Sequence, residues 1–350
     1  GPPPPRGAGG GARLDAQLGP EGAMALWELA ESWQQQDPLP VGSNAFAVAG
    51  THTASGNALL EGDTHQGMGS PAVYTLVDIT AQETGLRLVG ASFAGVPLVL
   101  FGTNGVVAWS ATNGLLDHSD LYLEVPDGTT GVVFDGATVP FETTTHDIAV
   151  RDAGGTVEDA ELRTVETQRV PHHGPVLPTD TLGLPLPLTV SVRWTGATTT
   201  SLGSTFRAVG QSRDVDELTA ALRSGQAAGV AWVYADMDGR IGASAMTTLP
   251  VRERLDPSAP PVSLLPGDGG HEWLGAGADF EAVDPALIPE VIDPPRGFVV
   301  ASNNDPGGSN ADGDPFNDPI WYSGLFDVGS RAAQIEARLD LHGHRQDEAH

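Results

Sequence analysis

Ser43 is the residue whose type and position could do the most chemistry. It follows Pro40-Val41-Gly42 and opens an apolar run, SNAFAVAG. If the Gly42–Ser43 bond were cut, this serine would carry both a hydroxyl and a free α-amine. An α-amine has an unperturbed pKa near ~8, so it is a base for its own hydroxyl close to neutrality, directly or through one water. Read by itself, the same serine is more simply the first residue of a strand. Other reactive groups are looser. His172-His173 and the tail pair His342 and His344 offer imidazoles to a metal, or are packed and solvated histidines. Asn310, Asp312 and Asp314 alternate like the start of an oxygen-ligand calcium loop, but Pro315 stands where an EF-hand needs glycine. G-x-S-x-G and H-E-x-x-H are absent, and a chain without lysine cannot complete G-x-x-x-x-G-K-[ST].

The elements that must position these residues are mostly short strands. Residues 1–20 are a Pro- and Gly-rich linker. Residues 21–36 have apolar residues at helical spacing and stop at Asp37-Pro38-Leu39-Pro40. From Ser43 the texture becomes β-prone runs between Gly, Asn and Asp turns: Ala45–Ala49, Ala72–Ile79, Leu86–Ala91, Leu98–Leu100, Val106–Ser110, Leu121–Val125 and Val132–Phe134. Val230–Met246 reads as a hairpin turning at Asp238-Gly239. Val215–Leu222 and Ser330–Leu341 are helix candidates. The spacing predicts an α+β chain, rich in strands, most of them antiparallel because their connections are too short for crossovers.

Composition excludes several classes of function. The 350 residues carry 45 Asp+Glu against 17 Lys+Arg, for a net charge of -28. Such a surface repels nucleic acid and anionic membranes. With 40 % hydrophobic residues the chain can bury a real core. The absence of cysteine removes disulfides, thiol catalysis and zinc-cysteine sites. No apolar run approaches the ~20 residues of a membrane span. Aromatic residues make up 6 %, which disfavours a carbohydrate-stacking surface.

A series of segments gives a sharper expectation. GSNAFAVAG, ALLEGDTHQG, FGTNGVVAWSATNGLLDHSDLYLE, HHGPV, VSVRWTG, WVYADMDGRIG, GFVVASNNDP and GSRAAQIEARL occur in this order. Together they resemble the penicillin acylase family of N-terminal-nucleophile hydrolases over roughly nine tenths of the chain. The resemblance implies an αββα four-layer sandwich, with two antiparallel sheets between helices. It implies that Ser43 is the nucleophile, exposed by autoproteolysis at Gly42–Ser43. It makes His65 a neighbour that helps hold the serine, and Asn113 the residue whose backbone N–H forms half of an oxyanion hole. Asn303 becomes the side-chain donor of that hole, and Arg331 the arginine that supports the site. Asp117, Ser119 and Asp120, with Asp318 as a fourth ligand, match a loop that holds structural Ca2+ in several members.

The same resemblance implies a division at Ser43. Residues 1–42 correspond to the end of an α chain and its spacer, and 43–350 to the first part of a β chain, still joined and therefore unprocessed. It implies partners: a small-molecule N-acyl amide substrate, the rest of the α chain and the rest of the β chain. It implies a periplasmic or secreted location. The expected activity is hydrolysis of a linear N-acyl amide such as a penicillin, a cephalosporin, an acyl-homoserine lactone or a lipopeptide. The alternative is a non-catalytic acidic binding or scaffold module that keeps the fold.

Overall fold

A computed structural model describes residues 42–341, apart from 68, 152–153, 179–187, 199–200, 226–228 and 277–278. The linker, the helix expected over 21–36 and the pair His342 and His344 lie outside the described residues. The chain divides into two compact units. One comprises Ser119–Ala197 with Val251–Glu281, the other the described parts of Asp37–His118, Thr198–Pro250 and Ala282–His350.

The second unit holds Ser43 and is built in layers. Its larger sheet has seven strands, in the order Glu290–Ile292, Ile241–Met246, Val230–Asp236, Val107–Asn113, Phe101–Thr103, Arg87–Phe93 and Tyr74–Thr80, all antiparallel. Its smaller sheet places Ser43–Val48 between Leu59–Thr64 and Phe298–Ala301. Alternation along the strands sorts the side chains onto two faces. Ala45 and Ala47 face Ala231, Val233, Ala235, Val299 and Ala301 in one apolar cluster that joins the sheets. Trp109, Trp232 and Tyr234 point the other way, against Phe206, Val209, Leu218 and Leu222 of the helices Leu202–Gln211 and Val215–Arg223. Behind the small sheet, Val48 and Phe298 pack on Leu339 and Ile335 of the helix Ser330–Leu341. The layer order is therefore helices, sheet, sheet, helix, the αββα sandwich that the segments implied.

Small residues set how closely the sheets approach. A β-carbon added at Gly62 would lie 1.9 Å from Ser110 Oγ, so only glycine fits there. The Val230–Met246 hairpin turns at Gly239, whose φ is +82°. Asp236 organises that turn by accepting from the N–H groups of Asp238 and Arg240, each at 3.0 Å, and from Val215 N–H at 3.1 Å. Asp214 caps the helix that starts there, accepting from Glu217 N–H at 2.8 Å.

The first unit contains a six-stranded sheet, Glu142–Val150, Glu161–Val170, Gly174–Leu177, Val190–Trp194, Ser119–Leu123 and Leu264–Pro266. Its last pairing is parallel, the other neighbours antiparallel. The first two strands form a long ribbon exposed along most of its length. Several elements differ from the sequence reading, among them the strands Leu59–Thr64 and Phe298–Ala301 on either side of Ser43–Val48, which it did not include. Leu98–Leu100 is not a strand, and Phe101–Thr103 is. The Leu202–Gln211 helix and the ribbon stand outside the sequence reading. Among the described residues, no helix is long and apolar enough to cross a membrane.

Candidate active site

Strand register brings the site together. Ala45 pairs with Ala301, so the chain two residues past Ala301 arrives beside Ser43. That residue is Asn303. Ser43 pairs with Thr64, so the next residue, His65, comes opposite Gly42. A buried serine at the end of a central strand is thus flanked by two neighbouring strands whose next residues are polar.

The contacts follow from that register. Ser43 N–H donates to Asn303 Oδ1 at 2.7 Å, and Ser43 Oγ donates to the carbonyl of Gly42 at 2.8 Å. His65 N–H donates to the same Gly42 carbonyl at 3.0 Å. Asn303 Nδ2 donates to Asn113 O at 2.8 Å, which places the two oxyanion-hole candidates side by side. An amide NH2 has two hydrogens, so this bond leaves a second one to donate. Asn303 itself has φ +63°, a left-handed conformation that asparagine tolerates better than most residues. Its carbonyl is held by Asp327 N–H at 2.9 Å.

Arg331, in the first turn of the Ser330–Leu341 helix, ties these pieces to one another. Its guanidinium donates to Ser43 O at 2.7 Å, Asn44 Oδ1 at 2.9 Å, Ser302 O at 2.8 Å, Asn303 Oδ1 at 2.9 Å and Asp327 Oδ2 at 3.0 Å. A planar fork of five N–H groups suits such a junction, and lysine would not replace it. The His65 ring contacts Asn44 Nδ2 at 3.4 Å and Asp63 Oδ2 at 3.0 Å. Glu61, on the same strand, has its carboxyl raised above the usual range, first by burial and then by Asp63, with His65 opposing.

The structure therefore gathers Ser43, His65, Asn113, Asn303 and Arg331 into one network. Sequence reading missed Asn44, Asp63 and Asp327, which connect the others. Adjacency to Ser43 and the i−4 position relative to Arg331 were the available signals for Asn44 and Asp327. The Asn113 side chain also contributes to the local structure. Its Oδ1 accepts from Leu115 N–H at 2.9 Å and fixes the turn after the strand.

The calcium candidates are placed differently. Asp117 accepts from Trp321 Nε1 at 2.6 Å, and Asp318 lies in the same unit. Ser119 and Asp120 belong to the other unit. Asp120 does not fit a calcium ligand here. Its buried carboxylate accepts from Arg252 at 2.6, 2.9 and 3.2 Å and from Trp273 Nε1 at 2.7 Å, so a guanidinium already supplies the positive charge. Asp312 accepts from Asp314 N–H and Asn317 Nδ2, bonds that tie its loop to itself.

Comparisons with known proteins place the chain among relatives. Penicillin acylase 2 proenzyme of Pseudomonas sp. (strain SE83) is 35 % identical over 268 residues, 75 % of this chain and 32 % of that protein. Penicillin G acylase of Escherichia coli is 26 % identical over 270 residues, 76 % of this chain and 29 % of its own. An acyl-homoserine lactone acylase, QuiP of Pseudomonas fluorescens (strain Pf0-1), is 36 % identical over 118 residues, 33 % of this chain and 14 % of its own. The thermostable penicillin G acylase from Alcaligenes faecalis superposes with a TM-score of 0.67 at 25 % identity, over 87 % of this chain and 50 % of that one. The chain spans about a third of the length of the two curated penicillin acylases. Residues 10–350 match the family described as Penicillin amidase, and the chain belongs to that family.

Proposed function

We propose that this chain carries the nucleophile of an amidohydrolase that cleaves linear N-acyl amides, and that Ser43 is that nucleophile. The observation that supports it most is the convergence of Asn303, Arg331 and His65 on Ser43 and on the carbonyl preceding it. In the uncut chain, His65 N–H polarises the Gly42 carbonyl, beside which Ser43 Oγ sits. Attack of Oγ on the Gly42 carbonyl carbon breaks the Gly42–Ser43 C–N bond and passes the acyl group to oxygen. The hydroxyl proton goes to the departing nitrogen. Water then hydrolyses the ester, leaving a Gly42 carboxylate and a Ser43 bearing a free amine and a free hydroxyl.

In the cut form the amine takes the hydroxyl proton as Oγ attacks a substrate carbonyl, and returns it to the leaving amine nitrogen. Asn303 Nδ2 and the Asn113 N–H would hold the oxyanion. Arg331 positions Asn303 and the Ser43 backbone. Water hydrolyses the acyl-enzyme, releasing a carboxylic acid.

The test is to express the full-length protein that contains this chain, follow it by mass spectrometry and N-terminal sequencing, and assay a panel of chromogenic N-acyl anilides; the uncut piece alone is expected to be inactive. Cleavage before Ser43 and turnover, both absent in Ser43→Ala, are expected. Turnover that persists in Ser43→Ala would remove Ser43 from the mechanism. An intact Gly42–Ser43 bond with no turnover in any arm would favour the non-catalytic module.

A further inference from the structure

The first unit contains a cluster that the amidase reading does not use. Glu124 ends the Ser119–Leu123 strand, His172 and His173 lie in the turn between Glu161–Val170 and Gly174–Leu177, and Glu272 comes from the Val251–Glu281 segment. His173 is fully buried, with Nδ1 at 2.7 Å from Glu124 Oε1 and Nε2 at 2.8 Å from Glu272 Oε2. Ser191 Oγ donates to the same Glu124 oxygen at 2.5 Å. Burial alone would push the His173 imidazole down, but its bonds to Glu124 and Glu272 hold it above its ordinary value. Burial and the neighbouring His173 charge push His172 down to about 4, so near neutrality it is an uncharged base.

The hydrogen bonds leave the cluster short of donors. Glu124 Oε2, Glu272 Oε1 and His172 Nε2 are buried without a hydrogen-bond partner among the described residues. Glu124 itself is 2 % exposed. Buried polar atoms normally have partners. A divalent cation would supply the missing partner, because it binds those lone pairs.

We infer that Glu124, His172 and His173 form a binding site for a late first-row divalent metal ion of the zinc class. One donor atom from each lies within 4.8 Å of the others, and among the described residues this is the group of three that meets that spacing. Donors on a tetrahedral zinc lie roughly 3.3 Å apart, so the widest pair needs to draw in by up to about 1.5 Å. The rings are already aligned: Tyr122 stacks on His173 at 3.6 Å and 5°, and Phe134 packs on His172 at 3.9 Å. Two nitrogen donors with one carboxylate favour zinc, cobalt or nickel over calcium or magnesium. Glu272 remains as the acceptor that orients the His173 ring or as a fourth ligand. The site is structural, since it pins three segments of this unit and contains none of the Ser43 network.

Zinc chloride titrated into the purified chain by calorimetry tests this. One ion per chain is expected, with micromolar or tighter affinity. Tm should rise with zinc concentration. His172→Phe keeps a ring against Phe134 and removes both nitrogens, so it should retain the fold by circular dichroism and weaken binding at least about tenfold. Glu124→Gln should do the same. Absence of binding, or affinity unchanged in His172→Phe, overturns the site. So does loss of binding in a His342→Asn/His344→Asn double variant, which would assign the ion to the tail.

Discussion

At the scale of single residues, Gly42 and Arg331 control one another. A β-carbon on Gly42 would lie 2.9 to 3.1 Å from the Arg331 guanidinium atoms, which are held by five separate bonds and cannot simply move aside. Gly42→Ala should therefore fold normally yet release Ser43 more slowly, measured as the rate at which the 43–350 species appears. Asn303→Ala removes a side-chain donor and should lower kcat on the order of 100- to 1,000-fold, with circular dichroism unchanged. In the proposed mechanism the base is the Ser43 α-amine. It must be neutral to act as a base, so kcat/KM should fall as pH drops through a value near or somewhat below ~8, the guanidinium nearby disfavouring the ammonium form. A profile that stays flat to pH 5 would point to a different base. Ser43, Asn303 and Arg331 were legible in the sequence through the motifs around them. Asn44, Asp63 and Asp327 were not, because a polar residue beside a strand end has no distinguishing pattern until strand register sets its neighbour.

At the scale of elements, the two sheets of the Ser43 unit approach through residues with almost no side chain. Gly62→Ala would drive a methyl into Ser110 Oγ and should cost about 1–3 kcal/mol in urea unfolding. Adding Ser110→Gly should recover part of that loss, since it removes the atoms that clash. Leu218 is fully buried under the larger sheet, and Leu218→Ala should cost about 2–5 kcal/mol. The elements that the sequence revealed carry strong local signals: Val230–Met246 is buried on both faces and turns at Asp238-Gly239, and Val215–Arg223 buries one face. The Leu202–Gln211 helix escaped because Gly203 and Gly210 lower its propensity, although Leu202, Phe206 and Val209 follow helical spacing. Gly210 lets the helix approach Leu88, whose side chain would lie 3.3 Å from an added β-carbon. The Glu142–Val150 and Glu161–Val170 strands escaped because neither face is buried for most of their length, so no alternation is imposed.

At the scale of the whole molecule, a net charge of -28 without lysine makes self-repulsion a standing cost of the folded state. Its positive charge is placed in specific arginine forks, such as Arg252 on Asp120 and Arg331 on Asp327. Raising NaCl from 10 mM to 0.5 M should therefore raise Tm, because screening relieves repulsion at the surface more than it weakens the buried pairs. A fall in Tm over that range would mean that exposed ion pairs outweigh the repulsion. The ribbon of the first unit has its own consequence. Glu142–Val150 pairs with Glu161–Val170 from end to end, yet only Arg169 and Val170 continue into the next strand. A two-stranded ribbon is marginal by itself, so its order is lent from its base. Amide protection against hydrogen exchange should decline steadily from Arg169 toward Val150 and Glu161, and fraying should begin at that far end. The ribbon is thus a lever anchored at one end, and its tip is where an inserted tag or a protease cut should leave the rest of the unit intact.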